Sequence, residues 1–330
     1  MDLPERQSIV SSSVEQSGSL TTSISVPAAV SFEQSKVRWS SVWIALRPQH
    51  WVKNLLVFVP IVMAHKFTDL HRLGDAMLAF ASFSVAASGV YVLNDLCDLE
   101  ADRLHPIKKL RPFASKELSR WVGFSLVPAL LLAGLVISAQ VPSRLLLADV
   151  LLYAAATTVY STYVKQIPVL DVLLLTGLYL VRILGGGVAS SVPVSPWLLA
   201  FSMFLLLSLA FTKRHAELIR EAADDETRTG PSKRNYLAQD ADLVRQFGVA
   251  SGYISVLVLA LYVNGPEVTT LYRHPQLIWL VCPVLLYWIS RVWFIANRER
   301  LNEDPVLFAV CDPLSYVLGC LILLILFLAS

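Results

Sequence analysis

Long apolar segments separated by short polar stretches dominate this chain of 330 residues. Nine of these segments meet or approach the roughly 20 apolar residues that a helix needs to cross the hydrocarbon core of a bilayer. The pattern predicts an all-α, multi-pass membrane protein with about nine transmembrane helices. The segments run over residues 52–66, 74–94, 119–140, 144–163, 168–190, 196–213, 247–265, 276–296 and 308–329.

The composition agrees with an integral membrane protein. Hydrophobic residues make up 55% of the chain and charged residues 16%, a balance that soluble domains of this size do not normally have. The net charge of +2 gives no reason to expect a nucleic-acid partner. The N-terminal stretch is rich in Ser, Thr, Val and Gln and shows no helical period. We therefore expect residues 1–36 to be a disordered cytosolic tail and residues 37–330 to form the transmembrane domain.

Basic residues are distributed unevenly between the two sides of the predicted bundle. With nine spans, most of the 27 Lys and Arg residues fall on the side that holds the N-terminus. The positive-inside rule therefore places the N-terminus and the long loops 95–118 and 214–246 in the cytosol, at the cell (inner) membrane. The exceptions are Lys66, Arg72, Arg144 and Arg273 on the other side and Arg182 within the fifth span.

The second apolar segment ends in the acidic stretch NDLCDLEAD, residues 94–102. On a helix, Asp95, Asp98 and Asp102 would share one stripe about 12 Å long, with Asn94 at its edge. Oxygen ligands at this spacing suit Mg²⁺, which completes its coordination with water and substrate phosphates. The alternative is that the carboxylates simply end a helix in solvent, although the helix dipole disfavours anions at a C-terminus.

The motif N-D-x-x-D-x-x-x-D after the second span, followed by a basic loop that ends in Arg-Pro, resembles the UbiA superfamily of intramembrane prenyltransferases. Five other stretches are similar to its decaprenyl-phosphate phosphoribosyltransferase branch and bacterial relatives. The resemblance implies a nine-helix bundle around a central cavity that opens to lipid and is capped by cytosolic loops. The stretches are LRPQHWVKN (46–54), HPIKKLRP (105–112), VLDVLLLTGLYLVRILGGGVA (169–189), FTKRHAEL (211–218) and EDPVLFAVCDPLSY (303–316).

This branch implies a Mg²⁺-dependent transferase that moves a 5-phosphoribosyl group from phosphoribosyl diphosphate to a polyprenyl phosphate. The first alternative is an aromatic prenyltransferase that joins a polyprenyl diphosphate to an aromatic acceptor. Those enzymes usually carry a second aspartate-rich motif after the sixth span, where this chain has KRHAE at 213–217. A secondary transporter is a remote alternative, because Asp149, Asp171 and Arg182 lie within predicted spans.

The motif and the resemblance together assign roles to individual residues. Asn94, Asp98 and Asp102 are expected to be catalytic and to hold Mg²⁺, with Asp95 supporting them or holding a basic neighbour. For several of the other residues, a role in packing or membrane topology is the alternative. The expected substrate-binding residues are Lys53, Asn54, Asp95, Arg111, Tyr160, Lys165, Lys213, Arg214 and Glu217.

The sequence supports three further predictions about residues in or beside the spans. Arg182 is deep enough in the membrane to need a partner or a polar cavity, and Asp149 and Asp171 are candidate partners. The glycine run 185–187 is expected to allow close helix packing. Asp304, at the start of the last span, is a candidate for the polar site or for pairing with a loop.

Overall fold

The computed structural model of the protein describes residues 39–224, 235–298 and 304–330. These residues form helices and connecting turns, and no strand occurs among them. Within the same ranges, seven helices are long and apolar enough to cross a membrane, and a bent helix pair near the C-terminus would be an eighth span. The prediction of an all-α, multi-pass membrane protein is confirmed. The predicted tail, residues 1–36, lies outside the described residues.

Most helices follow the predicted apolar segments within a few residues. A 3-10 helix, Pro48–Phe58, stands between the first two α-helices. The α-helices are α1 (Trp39–Leu46), α2 (Val59–Met63), α3 (Leu70–Cys97), α4 (Leu99–Leu104), α5 (Arg120–Ser138), α6 (Arg144–Thr162), α7 (Leu170–Ala189), α8 (Pro196–Asp224), α9 (Ala241–Val263), α10 (Val281–Asn297), α11 (Pro305–Cys311) and α12 (Pro313–Ala329).

The first predicted span differs from a regular transmembrane helix. The chain turns after α1 at Arg47, which has a left-handed φ of 52°, and continues as the 3-10 helix and then as the short α2. Pro60 lies at the second position of α2 and has no amide hydrogen for an i to i−4 bond, so the helical hydrogen-bond ladder is interrupted there. The first predicted span therefore consists of two short helices instead of one regular transmembrane helix.

Glycine allows α7 to lie directly against the 3-10 helix. A Cβ on Gly186 would stand 1.9 Å from the carbonyl oxygen of Val57, and a Cβ on Gly185 would stand 2.7 Å from the ring of Phe83. The expected close packing of the glycine run is therefore observed. The contact holds Lys53 and Asn54, both on the 3-10 helix, beside the inner side of α7.

The last span is broken at Asp312, where α11 and α12 meet at an angle of 79°. Asp312 accepts hydrogen bonds from the backbone amide of Ser315, at the start of α12, and from both terminal nitrogens of Arg291 on α10, at 2.7 and 2.9 Å. These contacts fix the bend. Asp304 precedes α11 and is within hydrogen-bond distance of two other elements of the bundle.

Gly186→Ala should destabilise the protein, because the new methyl group meets backbone that cannot rotate away. Overpacking of this kind costs about 1–3 kcal/mol, and we expect a clear fall in the thermal unfolding midpoint of the purified protein in detergent. Gly177→Ala is the matched control in α7, since no atom lies within 4 Å of the position of its Cβ. Equal unfolding midpoints for the two variants would contradict the close contact.

Candidate active site

Side chains from six elements line a cavity of about 530 Å³, a typical volume for a small-molecule site. We call it the polar cavity, and we call the end of the bundle at which α3 ends and α7 begins the motif face. The walls come from the 3-10 helix, α3, α6, α7, α8 and α11. The polar and aromatic lining residues are Arg47, His50, Lys53, Tyr91, Asn94, Tyr153, Thr157, Tyr160, Ser161, Tyr179, Arg182, Lys213, Glu217, Arg220 and Asp304.

Several residues predicted to form the site do surround this cavity. Lys53, Asn94, Tyr160, Lys213 and Glu217 line its walls although they come from four different elements. The remaining predicted residues lie around these five, as hydrogen-bond partners of the lining or in ion pairs near the motif face. The fold thus brings together side chains that are up to 164 positions apart in the sequence.

Two carboxylates of the acidic motif hold arginines. Asp95 is buried and accepts hydrogen bonds from Arg47 at 2.6 Å and from Arg111 at 3.2 Å. Arg111 also donates to Asp102, likewise buried, at 2.6 Å. The expectation that Asp95 holds a basic neighbour agrees with these contacts. Burial and pairing of both carboxylates leave the Arg47 and Arg111 side chains in fixed positions at the motif face.

The acidic motif spans the junction of α3 and α4. The amide nitrogens of Asp98 and Asp102 still donate to the carbonyl oxygens of Asn94 and Asp98, at 2.9 and 2.8 Å, so the helical course continues across the break. The side chain of Asp98 is 33% exposed and forms a long ion pair of 3.5 Å with Lys165, which follows α6. Asp98 is therefore the most accessible of the three aspartates in the motif.

The oxygen donors at this point fit Mg²⁺ in part. Asn94 lines the cavity and Asp98 lies one turn further on, with only the half-buried Lys165 to displace. Asp102 would first have to release Arg111. No three His, Cys, Asp or Glu side chains gather as metal ligands in the part of the chain that the structure describes. Asn94 and Asp98 suit an ion that takes few protein ligands and completes its shell with water and phosphate oxygens, as Mg²⁺ does.

On another wall, Asp304 joins two lysines. Its carboxylate accepts hydrogen bonds from Lys53 at 2.7 Å and from Lys213 at 3.0 Å, and its side chain is 7% exposed. Burial alone would raise the pKa of Asp304, but the two ammonium groups outweigh burial and hold this pKa well below its usual range. This one carboxylate binds two cations and so links the 3-10 helix, α8 and the start of α11.

Arg214 is buried away from the cavity. It forms ion pairs with Asp171 on α7 and with Glu217 one turn further along α8. The hydroxyl group of Tyr236 donates to Asp171 at 2.8 Å. Arg214, which was predicted to bind substrate, therefore lies between helices. Lys213, on the same turn of α8, lines the cavity.

Arg182 has different partners from those expected. Its Nε donates to the amide oxygen of Asn54 at 2.7 Å and one Nη donates to the Tyr153 hydroxyl at 2.9 Å. The prediction that Asp149 or Asp171 pairs with Arg182 is wrong, because Asp171 binds Arg214 and the 3-10 helix brings Asn54 closer. Tyr179 also lines the cavity and was not predicted, although it lies three residues before Arg182 on the same face of α7.

His50 contributes no positive charge to the cavity near neutral pH. It stacks on Tyr91, with ring centroids 5.3 Å apart, between Arg47 and Lys53. Burial and then the charges of Lys53 and Arg47 lower its pKa to about 4. The positive potential of the cavity therefore comes from lysine and arginine.

A second cavity of about 750 Å³ lies towards the end of the bundle away from the motif face and is lined mainly by apolar side chains. We call it the apolar cavity. Ile183 lines it, directly after Arg182 of the polar cavity, and Leu56 lines it one turn after Lys53. The two cavities therefore lie next to each other along α7 and the 3-10 helix.

Comparison with protein families agrees with this architecture. The model of the UbiA prenyltransferase family matches residues 55–328, which is most of the chain. The chain belongs to the UbiA prenyltransferase family. The expected superfamily is thereby confirmed, and the polar cavity with its Asn94 to Asp102 motif is the candidate active site of a UbiA-family membrane protein.

Individual relatives in the UbiA family cover different parts of the chain. The nodulation protein NoeC of Azorhizobium caulinodans is 37% identical over 289 residues, which cover 86% of this chain and 91% of that protein. The uncharacterised protein y4nM of Sinorhizobium fredii is 34% identical over 85% of this chain, which spans 54% of that protein. A decaprenyl-phosphate phosphoribosyltransferase of Mycolicibacterium smegmatis is 37% identical over 180 residues, 53% of this chain and 56% of that enzyme.

Solved structures of UbiA homologues share the fold. The homologue from Archaeoglobus fulgidus bound to GPP and Mg²⁺ superposes with a TM-score of 0.64 at 18% identity, over 88% of this chain and 99% of that chain. Its complex with DMAPP and Mg²⁺ gives the same TM-score. At this level of identity the likeness shows the fold alone.

Asp304→Asn should destabilise the protein strongly, because two buried ammonium groups would lose their shared carboxylate. Breaking a buried ion pair from one side costs about 3–5 kcal/mol, measured as a lower unfolding midpoint in detergent. Glu100→Gln is the control: its pair with Arg103 is exposed, and such pairs contribute about 1 kcal/mol or less.

The same contact predicts a dependence on pH. Because the pKa of Asp304 is lower in the folded protein than in the unfolded chain, its stabilisation is complete above about pH 4 and is lost as the pH falls further. Wild-type protein should therefore lose stability more steeply below pH 4 than Asp304→Asn does. Parallel acid profiles would show that the Asp304 contacts do not stabilise the fold.

Proposed function

We propose that this protein is a Mg²⁺-dependent membrane transferase that moves 5-phosphoribosyl from phosphoribosyl diphosphate to a polyprenyl phosphate. The observation that carries the proposal is the cationic pair Lys53 and Lys213, which lines the polar cavity together with Asn94 of the acidic motif. Lys213 occupies the region where a second acidic motif would serve an aromatic prenyltransferase. The similarity to decaprenyl-phosphate phosphoribosyltransferases over about half of the chain supports the same choice.

Each polar side chain has a role in this reaction. Asn94 and Asp98 would hold Mg²⁺, and Asp102 would be available as a further ligand only after release of Arg111. When bound, Mg²⁺ neutralises the charge that builds up on the departing diphosphate. Lys53 and Lys213 bind phosphate oxygens, with Tyr160 and Lys165 at the entrance near the motif face. Asn54, Asp95, Arg214 and Glu217 keep these groups in position through the contacts described above.

The chemical step is a substitution at C1 of the ribose. An oxygen of the lipid phosphate forms a bond to C1 while the bond from C1 to the diphosphate oxygen breaks, and the diphosphate leaves with the electron pair. The attacking phosphate is already ionised at pH 7, so no side chain has to remove a proton. Positioned cations that stabilise the leaving charge provide the main catalytic effect.

The two cavities suit the two halves of the lipid substrate. The apolar cavity accepts part of the polyprenyl chain, and the polar cavity accepts its phosphate together with the sugar diphosphate. The positive-inside distribution of Lys and Arg supports an active site that faces the cytosol, where a soluble sugar diphosphate can enter.

An aromatic prenyltransferase is the second candidate function. The observation in its favour is that UbiA homologues of the same fold bind the prenyl diphosphates GPP and DMAPP with Mg²⁺. The acidic run at 224–226, which a displaced second metal motif would use, extends outside the described residues.

Transfer of label distinguishes the two candidates. Purified protein incubated with Mg²⁺, a polyprenyl phosphate and phosphoribosyl diphosphate labelled in the ribose should move label into the lipid phase, and EDTA should stop the transfer. Absence of lipid label, together with consumption of a polyprenyl diphosphate and an aromatic acid, would overturn the proposal in favour of the aromatic prenyltransferase.

Asp98→Asn should lower the transfer rate on the order of 100-fold, because it weakens the Mg²⁺ and diphosphate site at its most accessible carboxylate. The measurement is the initial rate of label transfer at saturating Mg²⁺. Glu100→Gln removes a carboxylate two residues away that is exposed and pairs with Arg103, and it should leave the rate unchanged. Equal rates for the two variants would remove Asp98 from the metal site.

A further inference from the structure

Arg182 is a buried cation that has no carboxylate partner in the part of the chain that the structure describes. Its residue is 4% exposed, and it lies about 18 Å along α7 from the motif face by the helical rise. Its hydrogen-bond partners are neutral: the oxygens of Asn54, Tyr153 and Leu178, with the Tyr153 ring centre 4.5 Å away. Among the residues described, no Asp or Glu forms an ion pair with it. A buried, uncompensated guanidinium is costly at this depth.

The surrounding charges leave the cavity short of anions. Lys53 and Lys213 share the single carboxylate of Asp304, and Arg182 adds a third cation to the same lining. His50 is neutral, as its lowered pKa requires. With Arg47 and Arg220, five cations line the cavity against the two carboxylates of Asp304 and Glu217. This excess of positive charge suits a ligand such as a phosphate monoester, which carries about two negative charges at pH 7.

The position of Arg182 indicates which phosphate it meets. Arg182 lines the polar cavity and the next residue, Ile183, lines the apolar cavity. A phosphate attached to a long apolar chain would have its head at this boundary and its chain beyond it. The sugar diphosphate has no apolar part, and its Mg²⁺ ligands Asn94 and Asp98 are at the motif face.

We propose that Arg182 is the residue that recognises the lipid phosphate and distinguishes it from the corresponding uncharged lipid alcohol. The inference rests on the proposed function only in taking a polyprenyl phosphate as the substrate. Three of the five N–H donors of the guanidinium bind Asn54, Leu178 and Tyr153, which fixes its plane. The other two donors remain for phosphate oxygens.

Affinity for charged and uncharged lipids tests this role. The full-length protein in nanodiscs is titrated with a polyprenyl phosphate and with the polyprenol of the same chain length. Wild-type protein should prefer the phosphate, and Arg182→Gln should weaken phosphate binding by roughly 10- to 100-fold, the contribution of a hydrogen bond to a charged group. Polyprenol binding and phosphoribosyl diphosphate binding should stay within about twofold of wild type.

Further variants separate recognition from a structural role. Tyr153→Phe removes one hydrogen bond to the guanidinium but keeps its charge, so it should retain the preference for the phosphate. Arg182→Lys should keep part of that preference. If Arg182→Gln yields no folded protein, Arg182→Lys provides the test. Weaker binding of the polyprenyl phosphate with unchanged binding of the polyprenol supports recognition by Arg182. Unchanged binding of both lipids, or equally weakened binding of both, overturns the inference.

The result is independent of the transferase assay. An Arg182-dependent preference for polyprenyl phosphate in a protein that transfers no phosphoribosyl group would refute the proposed function and leave this inference standing. Arg182→Gln protein that still prefers the phosphate would refute the inference, even if label transfer is observed in the wild type.

Discussion

The contact between Gly186 and the backbone at Val57 determines the geometry of the whole site. Since no side chain separates α7 from the 3-10 helix, Lys53 and Asn54 reach the interior at the depth of Arg182. A regular transmembrane helix in place of the 3-10 helix would present its side chains at other angles. The irregular first segment is thus tolerated within the membrane because it lies against protein and lines a cavity, where its polar groups find partners.

Most of the carboxylates near the motif face serve to hold arginines in place. Asp95, Asp102 and Asp171 each hold an arginine. These pairs join α3 to the start of the 3-10 helix, α4 to the loop that follows it, and the start of α7 to α8. Asp98 is the exception, because its pair with Lys165 is long and partly exposed. The buried members of the acidic motif therefore organise arginines, whereas Asp98 is the member that a ligand could reach by displacing one lysine.

The sequence predicts some of these features well and others poorly, for physical reasons. The bounds of α3, α6 and α7 follow from the length of apolar segments, because the bilayer imposes that length on any spanning helix. The 3-10 helix could not be predicted in the same way, since its form depends on Pro60 and on a contact with Gly186, more than 120 positions away. The partner of Arg182 was missed because pairing depends on which helices become neighbours, and neither Asp149 nor Asp171 comes to lie beside it. Neutral groups such as Asn54 and Tyr153 give no sequence signal for this pairing.

The bend in the last span brings the Asp304 carboxylate into the polar cavity. An unbroken helix from Pro305 to Ala329 would carry Asp304 away along the axis of α12, whereas the 79° bend, fixed by Arg291 and Asp312, brings its carboxylate to Lys53 and Lys213. One carboxylate can hold two ammonium groups together but cannot neutralise both. The bend thus allows the bundle to keep its lysines ordered in the absence of substrate while preserving a net positive charge. That residual charge, and not the acidic motif alone, makes the cavity suitable for phosphate groups.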